Sequence, residues 1–219
     1  MRIESGVLRE EDRLPSEEKL AVQHHLSVGT VQKALSRLEN LGLVTREQGR
    51  GTFVTGSRVR TSDVSYLRFR DDQGRELPNF IHLRSVKRLT RRGPWSVFLG
   101  EAAGYVRIER RISVGGKFDL HSAFWLHETE FERLRNPDRR ALEKNLRVLL
   151  GQTLSLPTLR VDQWIRFEHP PAAIARELGL SGEQLAFVME MRGYTLRDRP
   201  LYYQQVFAGA FSQNLEIVR

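Results

Sequence analysis

The chain has 219 residues, among them 35 lysines and arginines and 27 aspartates and glutamates, which give it a formal net charge of +8. It contains no cysteine, which excludes disulfides, thiolate metal ligands and a cysteine nucleophile, and no apolar run approaches the roughly 18 residues that a membrane helix needs. We therefore expect a cytoplasmic protein of one large or two modest domains, with no membrane attachment and with a polyanionic partner.

The first predicted element is a short helix from Ser16 to about His24. Ser16 is a natural N-cap, because a serine side chain at this position can accept from the first free backbone N–H groups of a helix. Glu17 and Glu18 follow in the first turn, where the helix dipole favours negative charge. The pattern predicts a helix that begins sharply and ends after about two turns.

A second helix is predicted after a break at His25-Leu26, with Ser27 as its cap and Gly42 as the glycine that ends it. An apolar stripe at helical spacing runs along it and consists of Val31, Ala34, Leu35, Leu38 and Leu41. Two helices joined by a turn of three or four residues form a helix-turn-helix, in which the start of the second helix enters the major groove of DNA. The exposed face offers two polar residues suited to base edges and two cations suited to phosphates: Thr30, Gln32, Lys33 and Arg37.

A basic hairpin is predicted next, since residues 43–45 and 52–54 are β-prone and flank the tight turn Gly49-Arg50-Gly51. Such a hairpin is typical of a wing that approaches a duplex closely. A plain helical bundle with a solvated charged face is the alternative, but a glycine-bounded basic hairpin has no role in one. The predicted DNA-binding residues are Ser16, Ser27, Gly29, Thr30, Gln32, Lys33, Arg37, Gln48, Gly49, Arg50 and Thr52.

Residues 14–54, from LPSE to GRGTFV, resemble the winged helix-turn-helix of the GntR family of bacterial transcriptional regulators. LPSE, GTV, ALxxL, GLV and GRGTFV occur in the order and at the spacing of the family, so residues 1–55 are predicted to be a DNA-binding domain. The family usually has arginine where this chain has Glu18, Val28 and Gln32, so we expect the operator, the affinity or both to differ. Family members also begin with a longer amphipathic helix, of which this sequence has only a few residues. Two explanations remain open: the start of the chain is assigned too late, or the first helix of the head is incomplete.

Residues 56–65 lack apolar periodicity and are predicted to be a linker, and residues 66–219 are predicted to form an α+β domain with a mainly antiparallel sheet. After a strand end and turn at 68–74, strands are predicted at 79–89, 105–114, 118–126, 158–167, 185–196 and 201–211, and helices at 128–134, 138–150 and 170–178. The order of elements resembles the UTRA effector-binding domain of the HutC branch of GntR regulators, which has a chorismate-lyase-like fold. The segments that carry this resemblance are VRIERR, ARELGLSGEQL and DRPLYYQQVF.

A candidate effector pocket follows from the alternation of residues in the strand 105–114, which places Arg110 on an apolar face. Pairing of residue 114 with 118 brings Ser122 opposite Arg110. A buried arginine needs an anionic partner, either a bound effector or an internal Asp or Glu. Sugar-phosphate-sensing UTRA domains resemble this chain at Arg110 but have Arg and Glu at Ile112 and Ser122, so we expect a small anionic effector other than a phosphosugar. Further candidates for the pocket wall are Gln163, Tyr203 and Gln205.

No catalytic residue, metal site or cofactor is predicted. Asp119 and His121 share one face of a strand while Ser122 points the other way, which excludes a Ser-His-Asp arrangement within it. The resemblance implies a homodimeric, ligand-responsive, sequence-specific transcriptional regulator, a repressor that a small molecule releases from a near-palindromic double-stranded DNA operator. Two alternatives remain: a small-molecule enzyme of chorismate-lyase-like fold with a vestigial head, whose turnover would survive deletion of residues 1 to 60, and a nonspecific architectural DNA binder with steep salt dependence.

Overall fold

The computed structural model describes residues 12–40, 44–47, 49–54 and 67–217. The part before residue 55 consists of two helices, α1 (Glu17–His24) and α2 (Val28–Asn40), and an antiparallel hairpin of β1 (Val44–Glu47) and β2 (Gly51–Val54). This is a winged helix-turn-helix, so the two predicted helices and the wing are confirmed. The predicted helix end at Gly42 lies outside the described residues, and so does Leu41.

The two helices pack through a small apolar core. Ala21 of α1 and Val31 and Leu35 of α2 are buried, and the partly buried side chains around them are Leu14, Leu20 and Leu38. The prediction that Ala34 belongs to this apolar stripe is wrong, because Ala34 is exposed. Among the described residues, burial therefore follows a narrower stripe of α2 than the sequence suggested.

Residues 67–217 form an α+β domain whose main element is a six-stranded antiparallel sheet. In chain order its elements are β3 (Arg68–Arg70), β4 (Asn79–Leu89), α3 (Pro94–Leu99), β5 (Tyr105–Val114), β6 (Phe118–His127), α4 (Glu128–Arg133), α5 (Arg139–Leu142), α6 (Leu146–Leu154), β7 (Arg160–Glu168), α7 (Ala172–Leu178), β8 (Ala186–Tyr194), β9 (Pro200–Ala208) and β10 (Asn214–Glu216).

The strands of the large sheet are ordered β4-β5-β6-β9-β8-β7, and β10 pairs separately with β3. In the β5–β6 hairpin Val114 pairs with Phe118 and Arg110 pairs with Ser122, which confirms the predicted register. The register follows from burial: a shift by one residue would turn the apolar side chains of both strands to the opposite face.

Both faces of the sheet are covered. The face that carries Ile108, Phe124 and Tyr202, called the inner face here, packs against leucines of α5 and α6, and at its other end against Leu67 and Phe69. The opposite face, called the outer face, packs against α3, where Trp95 stacks on Trp125 with 5.1 Å between ring centroids. Helix α7 also covers this face, through Ile174 and Leu178.

Three features differ from the prediction. The helix expected over 138–150 is two helices, because Asn145 Oδ1 accepts a hydrogen bond from Arg147 N and so caps the new helix α6. Helix α3 was not predicted, since its six residues are too few to show a helical period. Strand β10 was also missed. Within the described ranges no helix is long and apolar enough to cross a membrane.

Candidate DNA-binding surface and ligand cavity

Both predicted helix caps are present in the head. Ser16 Oγ accepts from Lys19 N at 3.3 Å, and Ser27 Oγ accepts from Thr30 N at 3.2 Å. Ser27 Oγ also lies 2.8 Å from Thr30 Oγ1, so the Thr30 hydroxyl, which was predicted to read base edges, is engaged with the cap. Gly29 lies in the first turn of α2 with open space where a Cβ would be. These contacts fix the start of α2, the end that the helix-turn-helix arrangement presents to DNA.

Gln32 and Lys33 are exposed on the first half of α2, as predicted. Gln32 Nε2 donates to Glu17 Oε2 at 2.8 Å, so the amide is held by a carboxylate from α1. Arg46 of β1 reinforces this contact, since its Nη2 donates to the Gln32 carbonyl at 3.2 Å and lies 3.5 Å from Glu17 Oε1. Sequence reasoning missed both Glu17 and Arg46, because no local pattern shows that α1, α2 and the wing meet here. The Arg37 side chain lies outside the described part.

The wing places a basic tip beside the helices. Gly49 and Gly51 have positive φ values of 74° and 121°, which explains the two glycines of the turn, and Arg50 between them is exposed and pairs with Glu47. Thr52 is partly buried and its carbonyl accepts from Leu14 N at 2.8 Å, so it ties the wing to the chain before α1. The predicted contact residue Gln48 lies outside the described residues.

The second candidate site is a cavity of about 70 Å³ on the inner face of the large sheet, called the inner cavity here. Its polar walls come from four elements and the residue before α6: Asn79, Arg110, Asn145, Arg147 and Gln204. Arg110 is 4% exposed. Its Nη1 donates to the Lys144 carbonyl at 3.0 Å, and its Nε has no hydrogen-bond partner among the described residues.

Within the described ranges, Arg110 has no carboxylate partner. The sequence left two partners of Arg110 open, a bound effector and an internal Asp or Glu. For the described part of the chain the second is wrong, because the hydrogen bond of Arg110 goes to a backbone carbonyl. Burial and, to a smaller extent, the nearby Arg147 guanidinium lower the pKa of Arg110 to about 9. The side chain is therefore a buried cation beside a second cation, an arrangement that costs free energy unless an anion joins it.

Arg147 was not predicted as a site residue. It lies in the first turn of α6 and is 7% exposed. Its Nη2 lies 3.1 Å from Met191 Sδ and 3.4 Å from Gln204 Oε1, and its guanidinium carbon is 5.2 Å from the centre of the Tyr202 ring. The apolar spacing of Leu146, Leu150 and Leu154 could have indicated that the neighbouring Arg147 faces the sheet.

The other predicted effector-binding residues are only partly brought together. Ser122 is fully buried beneath the wall, and its Oγ accepts from Gln204 Nε2 at 3.0 Å, so it orients Gln204. Gln163 pairs across the sheet with Met191, which places it on the inner face beyond the cavity, and its Nε2 has no partner in the described ranges.

The prediction for Tyr203 and Gln205 is wrong. Both lie on the outer face, where Tyr203 packs with Trp95 and Trp125 and its hydroxyl accepts from Gln205 Nε2 at 3.0 Å. Burial and a hydrogen bond to Glu190 raise the pKa of Tyr203. Because residues alternate between the faces of a strand, Gln204 between them is the one that reaches the inner cavity.

The described residues thus combine a winged helix-turn-helix, which is a class of DNA-binding domain, with an antiparallel α+β domain that has a polar cavity. Residues 1–54 match the family model described as "Bacterial regulatory proteins, gntR family". The head is therefore a GntR-type helix-turn-helix domain.

Curated relatives match the head of the chain, and solved structures match its fold. The chain is 49% identical over 53 residues to the histidine utilization repressor of Klebsiella aerogenes, and 39% identical over 71 residues to the HTH-type transcriptional repressor NagR of Bacillus subtilis (strain 168). These matches cover 24% and 32% of this chain and span only 22% and 29% of the two relatives' own lengths.

The crystal structure of PhnF from Mycobacterium smegmatis has a TM-score of 0.54 at 23% identity, over 95% of this chain and 92% of that chain. The ligand-binding domain of a putative GntR-family regulator from Bordetella bronchiseptica has a TM-score of 0.60 at 19% identity, over 71% of this chain and 98% of that chain. At these identities the likeness shows the fold alone.

Proposed function

We propose that this chain is a ligand-responsive, sequence-specific DNA-binding transcriptional regulator, a repressor that a small effector releases from its operator. The observation that carries the proposal is the combination, in one chain, of a GntR-type head with a cavity that holds a buried arginine lacking a carboxylate partner among the described residues. The two curated relatives given above are both named repressors, which supports the direction of regulation.

On the DNA side, the start of α2 enters the major groove, and the wing contacts the adjacent backbone. Thr30 and Gln32 read base edges, while Lys33, Arg37 and Arg50 hold phosphates. The active species is a cytoplasmic homodimer whose two heads bind the half-sites of a near-palindromic operator, since a two-fold protein matches a two-fold site.

On the ligand side, the effector binds in the inner cavity, where its negative charge meets Arg110. It lowers DNA affinity because it binds more tightly to the conformation whose heads do not fit the operator. The coupling is reciprocal, so operator DNA must weaken effector binding by the same factor.

The test of the DNA-binding part is fluorescence anisotropy of the full chain on DNA from upstream of its own gene, with excess random competitor, at two salt concentrations. Competitor-resistant binding is the expected result. Lys33→Ala should weaken it, whereas Lys117→Ala, an exposed lysine in the β5–β6 turn, should not. Binding that competitor and salt abolish together would contradict sequence-specific regulation and would favour an architectural role.

A further inference from the structure

We infer that Gln32 of α2 reads an adenine in the major groove, and that Glu17 of α1 is the positioning residue that fixes this choice. The inference rests on the proposed function, because it names the base that the proposed reading face selects. It follows from a contact that orients the Gln32 amide before DNA is present. A polar side chain of defined orientation offers one pattern of donors and acceptors to the base pairs, and therefore selects one base.

The orientation of the Gln32 amide is set by the chemistry of its partner. Gln32 Nε2 donates to Glu17 Oε2 at 2.8 Å. An ionised carboxylate only accepts hydrogen bonds, so it takes the nitrogen of the amide and not the oxygen. The other carboxylate oxygen, Glu17 Oε1, lies 3.5 Å from Arg46 Nη2, which itself donates to the Gln32 carbonyl at 3.2 Å. A turn of the amide by 180° would therefore break the contact and set two acceptors against each other.

An amide held in this way distinguishes the bases by their donors and acceptors. The contact with Glu17 uses one N–H of Gln32 Nε2, and it leaves the second N–H and Oε1 for DNA. This pair of groups matches adenine, whose N6 amino group donates and whose N7 accepts, whereas cytosine offers one donor and no acceptor. Guanine presents two acceptors, O6 and N7, so Gln32 Oε1 would face an acceptor where DNA excludes water. A glutamine that is free to turn could instead donate to guanine through Nε2.

The residues beside Gln32 on α2 also favour an A·T pair. Val28 lies one turn before Gln32 and is exposed, and an apolar side chain suits the methyl group of thymine. Gly29, three residues before Gln32, has open space where a Cβ would be, so a base edge can approach the helix closely there. Neither residue provides the two-donor fork with which arginine reads guanine. The reading face thus combines an acceptor and a donor with an apolar neighbour, a combination that matches adenine and thymine.

The experiment begins with duplexes that the full chain selects from a random-sequence library. Repeating the selection with Gln32→Ala identifies the position that Gln32 reads, because the base preference there disappears. Fluorescence anisotropy on the selected duplex then compares the four base pairs at that position. We expect adenine to bind roughly 5- to 100-fold more tightly than guanine, as for a bidentate contact to a base. The analogue 7-deazaadenine pairs with thymine but lacks the N7 acceptor; it should bind less tightly than adenine in the unmodified chain and equally in Gln32→Ala.

Glu17→Gln tests the positioning role. The new amide can accept or donate, so the Gln32 amide is free to turn, and the ratio of adenine to guanine affinity should fall by about 5-fold or more. Glu18→Gln is the matched control, because it removes the same charge from an exposed neighbour. Both variants should bind all DNA more tightly, but only Glu17→Gln should change the ratio. Damage to the fold would weaken binding to all four base pairs alike, so it cannot imitate a change in the ratio.

The outcomes separate this inference from the proposed function. Sequence-specific binding that prefers guanine at the Gln32 position, or an affinity ratio that Glu17→Gln leaves unchanged, would overturn the inference and leave the proposed function standing. A selected sequence that is the same for Gln32→Ala would also overturn it, because Gln32 would then read no base. Gln32→Arg should change the preferred base to guanine, and a persistent preference for adenine would again contradict the inference. A selection that yields no common sequence would refute sequence-specific regulation itself, and this inference with it.

Discussion

Replacement of Arg110 by methionine distinguishes a ligand-binding arginine from a structural one. Among the described residues of the free protein, Arg110 makes one hydrogen bond, to the carbonyl of the exposed residue Lys144, and lies beside Arg147. Arg110→Met removes that bond, worth about 1.5–3 kcal/mol for a charged donor. It also removes the desolvation penalty of a buried cation, which amounts to several kcal/mol. Because Lys144 itself is exposed, we expect water to replace Arg110 as the donor to its carbonyl after the change.

The balance predicts that Arg110→Met stabilises the larger domain by about 1–3 kcal/mol, because the methionine also buries apolar surface. For a chain of this size that corresponds to a rise in Tm of roughly 2–12 °C. All three tryptophans, Trp95, Trp125 and Trp164, belong to the larger domain, so their fluorescence during urea unfolding reports that domain without the head. The buffer must contain no carboxylate, phosphate or sulfate.

Ile112→Met is the matched control, since Ile112 is a buried neighbour of Arg110 on the same face of β5. This nearly volume-conserving change should be neutral or destabilise by less than about 1.5 kcal/mol. If Arg110→Met instead destabilised the domain by about 3–5 kcal/mol, as the breaking of a satisfied buried ion pair does, the reasoning would be refuted. Arg110 would then be a structural residue.

Three further predictions concern the head and the pH dependence. Gln32→Ala should relax base preference by about 1–3 kcal/mol at one or two positions, whereas Lys33→Ala should weaken binding to all sequences and lower the slope of log affinity against log salt concentration by about 1. Fluorescence anisotropy on an operator library measures both effects. An equal loss of affinity in both variants, without a change of base preference, would refute the assigned reading face. Glu17→Ala should raise affinity for all DNA about 2- to 5-fold, because it removes a negative charge, and should loosen base preference at the position read by Gln32, because it frees the Gln32 amide. Glu18 is an exposed neighbour of Glu17, and Glu18→Ala should leave base preference unchanged. The stability advantage of Arg110→Met should be constant below pH 9 and shrink as pH rises above it, because the folded unmodified chain then loses the proton of Arg110 and with it the cost of burying a charge. Midpoints of urea unfolding from pH 7 to 10 test this. A constant difference between the two chains would contradict it.

The head could be predicted almost completely from local signals. Ser16 and Ser27 cap their helices through short-range hydrogen bonds, and the glycines of the wing adopt the positive φ that a tight turn requires. These features depend on residues a few positions apart, which a sequence shows directly. The contact between Glu17 and Gln32 could not be predicted, because it depends on how α1 and α2 cross.

In the larger domain, the same distinction explains which predictions failed. The β5–β6 register was predictable because apolar and polar residues alternate in both strands, and only one register buries the apolar set. Strand β9 is buried on both faces, so apolar and polar residues do not alternate in its sequence LYYQQVF. The sequence therefore does not indicate which residues face the inner side of the sheet. Pairing with β6, in which Ser122 lies opposite Val206, decides which residues of β9 face inward. As a result Gln204, and not Tyr203 or Gln205, faces the inner cavity.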